Sequence, residues 1–145
     1  MGIGFEFREA LSGSYYTLKA PGVEKPMLFS IHAQTANIGK FTLDPSFEVD
    51  GELHAEGFAD HRDAHGSLNI SLIRRKIVYE VRFKNNKGEE CRLRGERDVE
   101  FLRLAGSLTT LPISVYAGEK EVARGVLRFD LRGDLIRYLR SFRFR

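Results

Sequence analysis

The run KIVYEVRFKNNKGEECRLRGERD, residues 76–98, decides the fold class. Ile77, Tyr79, Val81 and Phe83 recur with period two, and Asn85-Asn86-Lys87-Gly88 supplies turn chemistry. Cys91 and Leu93 then resume the alternation against Arg92 and Arg94. Two alternating runs around a Gly-containing turn predict a hairpin with one hydrophobic face. A hairpin this long needs other elements to cover that face. Its pattern assigns Cys91 to packing, as a buried thiol rather than a nucleophile.

Upstream, MLFSIHAQ (27–34) sets Met27, Phe29, Ile31 and Ala33 on an apolar parity opposite Leu28, Ser30 and His32. Phe47, Val49, Gly51, Leu53 and Ala55 alternate with Glu48, Asp50, Glu52 and His54, which predicts a half-buried strand. Gly51 inside it marks a bulge, a bend or a close crossing. Leu68, Ile70 and Leu72 alternate with Asn69 and Ser71, whereas the polar FADHRDAHGS (58–67) predicts an exposed loop. Near the start, Phe5 and Phe7 flank Glu6 in a short extended segment, with a helix over Phe5 to Leu11 as the competitor. Ser12-Gly13-Ser14 predicts a bend before a second strand from Tyr15 to Lys19, and Pro21-Gly22 and Pro26 bound a surface loop.

Downstream, Val99 to Leu104 reads as strand or a turn of helix. Ile113, Val115 and Ala117 alternate after Pro112, and Gly118-Glu119-Lys120 turns the chain into a strand carrying Ala123, Gly125, Leu127 and Phe129 on one face. The closing DLRGDLIRYLRSFRFR has Leu131, Leu135, Tyr138, Leu139 and Phe142 at helical spacing, with Asp130 as N-cap. Together these predict a single all-β domain over residues 1–145: a mostly antiparallel barrel or sandwich of about eight or nine strands with a short C-terminal amphipathic helix. No helical pattern separates the strands, so a parallel βαβ order is excluded.

With 42% apolar and 30% charged residues, the 145-residue chain is neither disordered nor too short for a complete core. One cysteine excludes an internal disulfide and any multi-cysteine zinc site. No apolar run spans a bilayer and the first residues lack a signal-peptide pattern, so the expected compartment is the cytoplasm. The net charge of +3 is uneven: from Arg124 onward seven Arg face Asp130 and Asp134, while the preceding part sums to −2. The C-terminal end is therefore where an anionic partner would be drawn.

Few residues suggest chemistry. His54, His61 and His65, with Asp60 and Asp63, form the one ligand-like cluster of types suited to a divalent metal, set against the simpler reading of a solvated loop. Glu6 and Glu9 are paired carboxylates near apolar residues. Arg132, Arg137, Arg140 and Arg143 beside Tyr138 and Phe142 could meet an anionic membrane surface or nucleic-acid phosphates, or face water while the apolar stripe covers an open end of the core. No serine sits in a nucleophile elbow, and no Gly-x-Gly-x-x-Gly follows a strand, so no cofactor is expected.

FSIHAQTANIGKFTLDP, VYEVRFKNNKGEECRLRGERDV and GVLRFDLRGDLIRYLRSFR resemble an accessory module associated with flavin-dependent glucose–methanol–choline-type oxidoreductases of the cholesterol-oxidase-like group, also found as free-standing bacterial proteins. The Phe5-Glu6 opening, the Asp-Pro step, Gly51, the Tyr79–Phe83 strand and Gly88, Leu93 and Gly95 carry that likeness. It implies a companion domain rather than the flavoenzyme, and brings no catalytic residues. The expectation is a non-enzymatic domain that binds a hydrophobic small molecule or lipid, or docks to an oxidoreductase or to its own copy. The alternatives are a small enzyme with an internal pocket, and anionic-surface or nucleic-acid binding through the basic end.

Overall fold

Among the described residues eight strands follow one another: β1 (Ile3–Thr17), β2 (Lys25–Ile38), β3 (Ser46–Ala55), β4 (Ala59–Ser71), β5 (Lys76–Lys84), β6 (Glu90–Asp98), β7 (Thr110–Ala117) and β8 (Lys120–Phe129). The computed structural model describes residues 3–38, 46–71, 73–98 and 110–129. The predicted C-terminal helix with Arg132, Arg137, Arg140 and Arg143, the 99–104 segment, Leu72 and the Asp-Pro step lie outside the described residues.

Each strand pairs antiparallel with the next, and β8 pairs back onto β1 to close a barrel. Of the two all-β architectures the sequence allows, the barrel is the one adopted. A path through directly opposed residues, Phe7–Ala33–Val49–Gly66–Val81–Leu93–Val115–Ala123, returns to β1 at Thr17, ten residues beyond its start. That stagger over eight strands, with ordinary strand spacings, tilts the strands by about 40° and gives a radius of about 8 Å.

The predicted parities hold. Met27, Phe29, Ile31, Phe47, Val49, Leu53, Ile77, Tyr79, Val81, Phe83, Cys91, Leu93, Ile113, Val115 and Leu127 all point inward and are buried. Leu53, Leu68, Ile70, Tyr79, Val81 and Leu93 are 0% exposed, so no water-sized void touches them. The middle of the barrel is filled by its own side chains. Outward positions carry charge, including Glu48, Asp50, Glu52, Arg82, Arg92, Arg94 and Arg124. This is the inverse of a transmembrane barrel, whose outer wall is apolar. Among the described residues no helix is long and apolar enough to cross a membrane.

Two expectations are corrected. Ser12-Gly13-Ser14 is not a bend, and residues 5–11 are not a helix: β1 runs unbroken, with Gly13 opposite both Met27 and Leu127. Glycine stands there because a Cβ would fall 1.8 Å from the Val126 carbonyl oxygen. The polar stretch 58–67 is not a loop either; all of it after Phe58 belongs to β4. Its inward positions opposite Gly51 and Val49 are Ala64 and Gly66, too small to register as an apolar face.

Candidate functional site

Four short turns, those that follow β1, β3, β5 and β7, meet at one end of the barrel. They are residues 18–24 between β1 and β2, 56–58 between β3 and β4, 85–89 between β5 and β6, and 118–119 between β7 and β8. Asn85 builds the third: its Oδ1 accepts from the Lys87 and Glu89 amides at 3.0 and 2.9 Å, and Gly88 takes φ +82°. Gly57 (φ +81°) and Gly118 (φ +66°) supply the left-handed residues of the second and fourth. Backbone bonds staple the turns to their neighbours, Asn86 N–H to Phe58 O at 2.8 Å and Leu18 N–H to Val122 O at 2.9 Å.

Between the stapled turns lies a cup of about 570 Å³ on the barrel axis. Its apolar lining is Leu18, Phe58, Ala117 and Val122, the last three packed against the core. Phe58 forms the plug between cup and interior, its ring centroid 6.4 Å from Tyr15 and 6.3 Å from Phe83. The Tyr15 hydroxyl donates to the Glu56 carbonyl in the same turn. Burial, with smaller contributions from the Asp60 and Glu56 charges, pushes Tyr15 up to about 12. Lys19, Lys87 and Lys120 also line the cup, are exposed, and make no ion pair among the described residues. The carboxylates there are engaged: Glu121 by Arg124 at 2.7 Å and Glu89 by Asn85 Nδ2 at 3.3 Å.

The histidines sit on the outer wall, each against a carboxylate. His54 and His61 stack with centroids 4.1 Å apart. A bulge in β4, where the register slips between Leu53 and Ala55, puts His61 at φ 49° and makes this contact. His61 Nδ1 lies 2.7 Å from Glu52, and His54 Nδ1 lies 3.7 Å from Asp60. His65 is not part of that group; its Nδ1 is 2.6 Å from Asp50, which it faces across β3 and β4. Parallel stacked rings do not converge on one point, and among the described residues no three His, Cys, Asp or Glu are placed to hold a metal ion. Asp60 is instead fixed by protein donors, Asn86 Nδ2 at 2.6 Å and the Gly57 amide at 3.2 Å, which hold its carboxyl below the usual range.

Glu6 and Glu9 do not form a pair. Three residues apart on a strand they face opposite ways: Glu6 reaches His32 at 2.9 Å outside, while Glu9 is 5% exposed inside. Within the barrel the Glu9 charge adds to burial in pushing the Tyr79 hydroxyl well above its ordinary value. Arg124, where the basic C-terminal end begins, pairs with Glu121.

Fold and site define a closed eight-stranded up-and-down barrel with a filled interior and an apolar, lysine-lined cup at its short-turn end. No family model, curated protein or solved structure matches this chain.

Proposed function

We propose that the protein is a binding domain that takes a small hydrophobic molecule bearing an anionic group at the short-turn end. One observation carries this: four turns from distant parts of the chain surround a hollow of about 570 Å³ with an apolar floor and lysines that make no ion pair among the described residues. Eight-stranded barrels either fill with side chains or hold one small ligand. The buried core here favours the first within the barrel, which moves the ligand to its mouth, a usual place for such sites. The apolar part would rest on Phe58, Leu18 and Val122, and the charge would meet Lys19, Lys87 or Lys120. No covalent chemistry is needed. The likeness to the companion module of flavin-dependent oxidoreductases suits a domain of this kind.

Titration with 8-anilinonaphthalene-1-sulfonate, an aromatic sulfonate of the required shape, tests the proposal. Saturable one-to-one fluorescence enhancement is expected, lost in Leu18→Glu, a substitution at a residue 38% exposed. Unchanged binding in that variant would place the probe elsewhere and remove the support.

A further inference from the structure

Arg82 stands in a row between a histidine and another arginine and has no counter-charge of its own among the described residues. On the outer wall it lies directly opposite His65 of β4 on one side and Arg92 of β6 on the other. Like charges facing each other across a sheet are destabilising unless something compensates them. Both neighbours are drawn away from Arg82. His65 turns to Asp50 at 2.6 Å. Arg92 reaches Glu80 at 3.3 Å and lies over the Tyr116 ring at 4.9 Å. Glu80, the nearest outward carboxylate along β5, is occupied a second time by Arg94 at 3.0 Å. Arg82 and Lys84 make no ion pair among the described residues.

A groove of about 470 Å³ opens at this point, lined by Arg62, Asp63, His65, Arg82, Lys84 and Glu90 around the Phe83 backbone position. Arg62 brings a third permanent cation; its Nε is buried without a hydrogen-bond partner among the described residues, and its Nη2 is 3.4 Å from Asn86. Three fixed positive charges thus face two carboxylates, with the least compensated of them, Arg82, in the row between His65 and Arg92.

We propose that this groove binds a tetrahedral oxyanion, the phosphate or sulfate group of a small ligand. Arg82 supplies the planar fork that matches two oxygens at once, and Lys84 adds a point charge beside it. The site is separate from the axial cup and does not depend on it. An anion here would compensate the Arg82 charge, which the described carboxylates leave open.

Amide chemical shifts followed during titration with inorganic phosphate, and separately with sulfate, at ionic strength held constant with chloride, test the assignment. Saturable shifts confined to residues 62–65, 82–84 and 90 are expected from one or both oxyanions, and the stronger arm identifies the group. Arg82→Ala should weaken binding at least tenfold, Arg82→Lys should restore it only partly because the fork is lost, and Lys84→Ala should weaken it several-fold. Arg94→Ala, whose side chain is held by Glu80 and Glu96, should leave it unchanged. Shifts that never saturate, that chloride reproduces, or that persist in both Arg82→Ala and Lys84→Ala would overturn the proposal.

Discussion

A Cβ on residue 51 would fall 2.0 Å from the carbonyl oxygen of Ser30 on the neighbouring strand, so only glycine fits between β2 and β3 at that height. Gly51 is the inward residue directly opposite Ile31 and Ala64. Gly51→Ala must push backbone against backbone, which a flexible side chain cannot absorb. A loss of about 2 kcal/mol or more is expected from such overpacking. Gly22→Ala, in the first turn with nothing within 4 Å, should change stability by less than about 0.5 kcal/mol. Urea midpoints for the two variants check the contrast, and equal midpoints would refute the close approach.

Alkaline pH should loosen the short-turn end through Tyr15. Its folded value, pushed up to about 12, lies above that of an unfolded tyrosine near 10. The unfolded chain then releases its proton first, so this group's contribution is complete below about pH 10 and is lost as pH rises towards 12. The size is roughly 3 kcal/mol at most, and burial is the main cause. The tyrosinate cannot donate to the Glu56 carbonyl, so the β3–β4 turn loses its tie to the interior. Stability measured from pH 8 to 12 should fall less steeply in Tyr15→Phe than in the parent chain. Parallel curves would show that Tyr15 is not responsible.

The barrel was legible where inward residues are large. Phe47, Val49 and Leu53, or Tyr79, Val81 and Phe83, declare a period of two because charged residues stand between them. It was illegible where the inward residue is small: Gly13 in β1 and Ala64 and Gly66 in β4 leave polar neighbours to dominate, so continuous strand reads as bend or loop. Closure is a pairing of residues 11–17 with 123–129, which alternation within either segment does not encode. The cup is hidden for a similar reason. Leu18, Phe58 and Lys87 belong to three different turns and Val122 to the start of β8, and they meet only when the barrel closes. Conversely, the clustering of His54, His61 and His65 in sequence overstated their proximity, because strand parity and the β4 bulge send His65 to Asp50 and His61 to His54.

Asn86 of the β5–β6 turn and Asp60 at the start of β4 clasp each other, Asp60 N–H donating to Asn86 Oδ1 at 2.9 Å and Asn86 Nδ2 donating to Asp60 Oδ2 at 2.6 Å. The second bond is the main reason the Asp60 carboxyl titrates below its ordinary value. Asn86→Ala should therefore move the Asp60 titration upward, short of the ordinary value because the Gly57 amide still donates. A depressed carboxyl contributes stability above its unfolded value near 4, and that contribution disappears as pH falls through the folded one. The variant should accordingly lose less stability than the parent chain between pH 4 and 2. Carbon-detected titration of the Asp60 side chain reads the shift directly, and an unmoved value would break the link.

Cys91 should behave as part of the core. It is 2% exposed, faces Phe83 across the opening hairpin, and its thiol is pushed up by burial and then by the Glu89 charge. A thiol that is neither accessible nor ionised is a poor nucleophile. At pH 8 the folded protein should resist 5,5′-dithiobis(2-nitrobenzoate) over minutes, and one equivalent should react at once in denaturant. At intermediate urea the labelling rate should follow the unfolding curve, because β5 and β6 lie inside a closed sheet with no edge from which to open. Prompt stoichiometric labelling without denaturant would place Cys91 outside the core, and with it the face of the hairpin that organises the barrel.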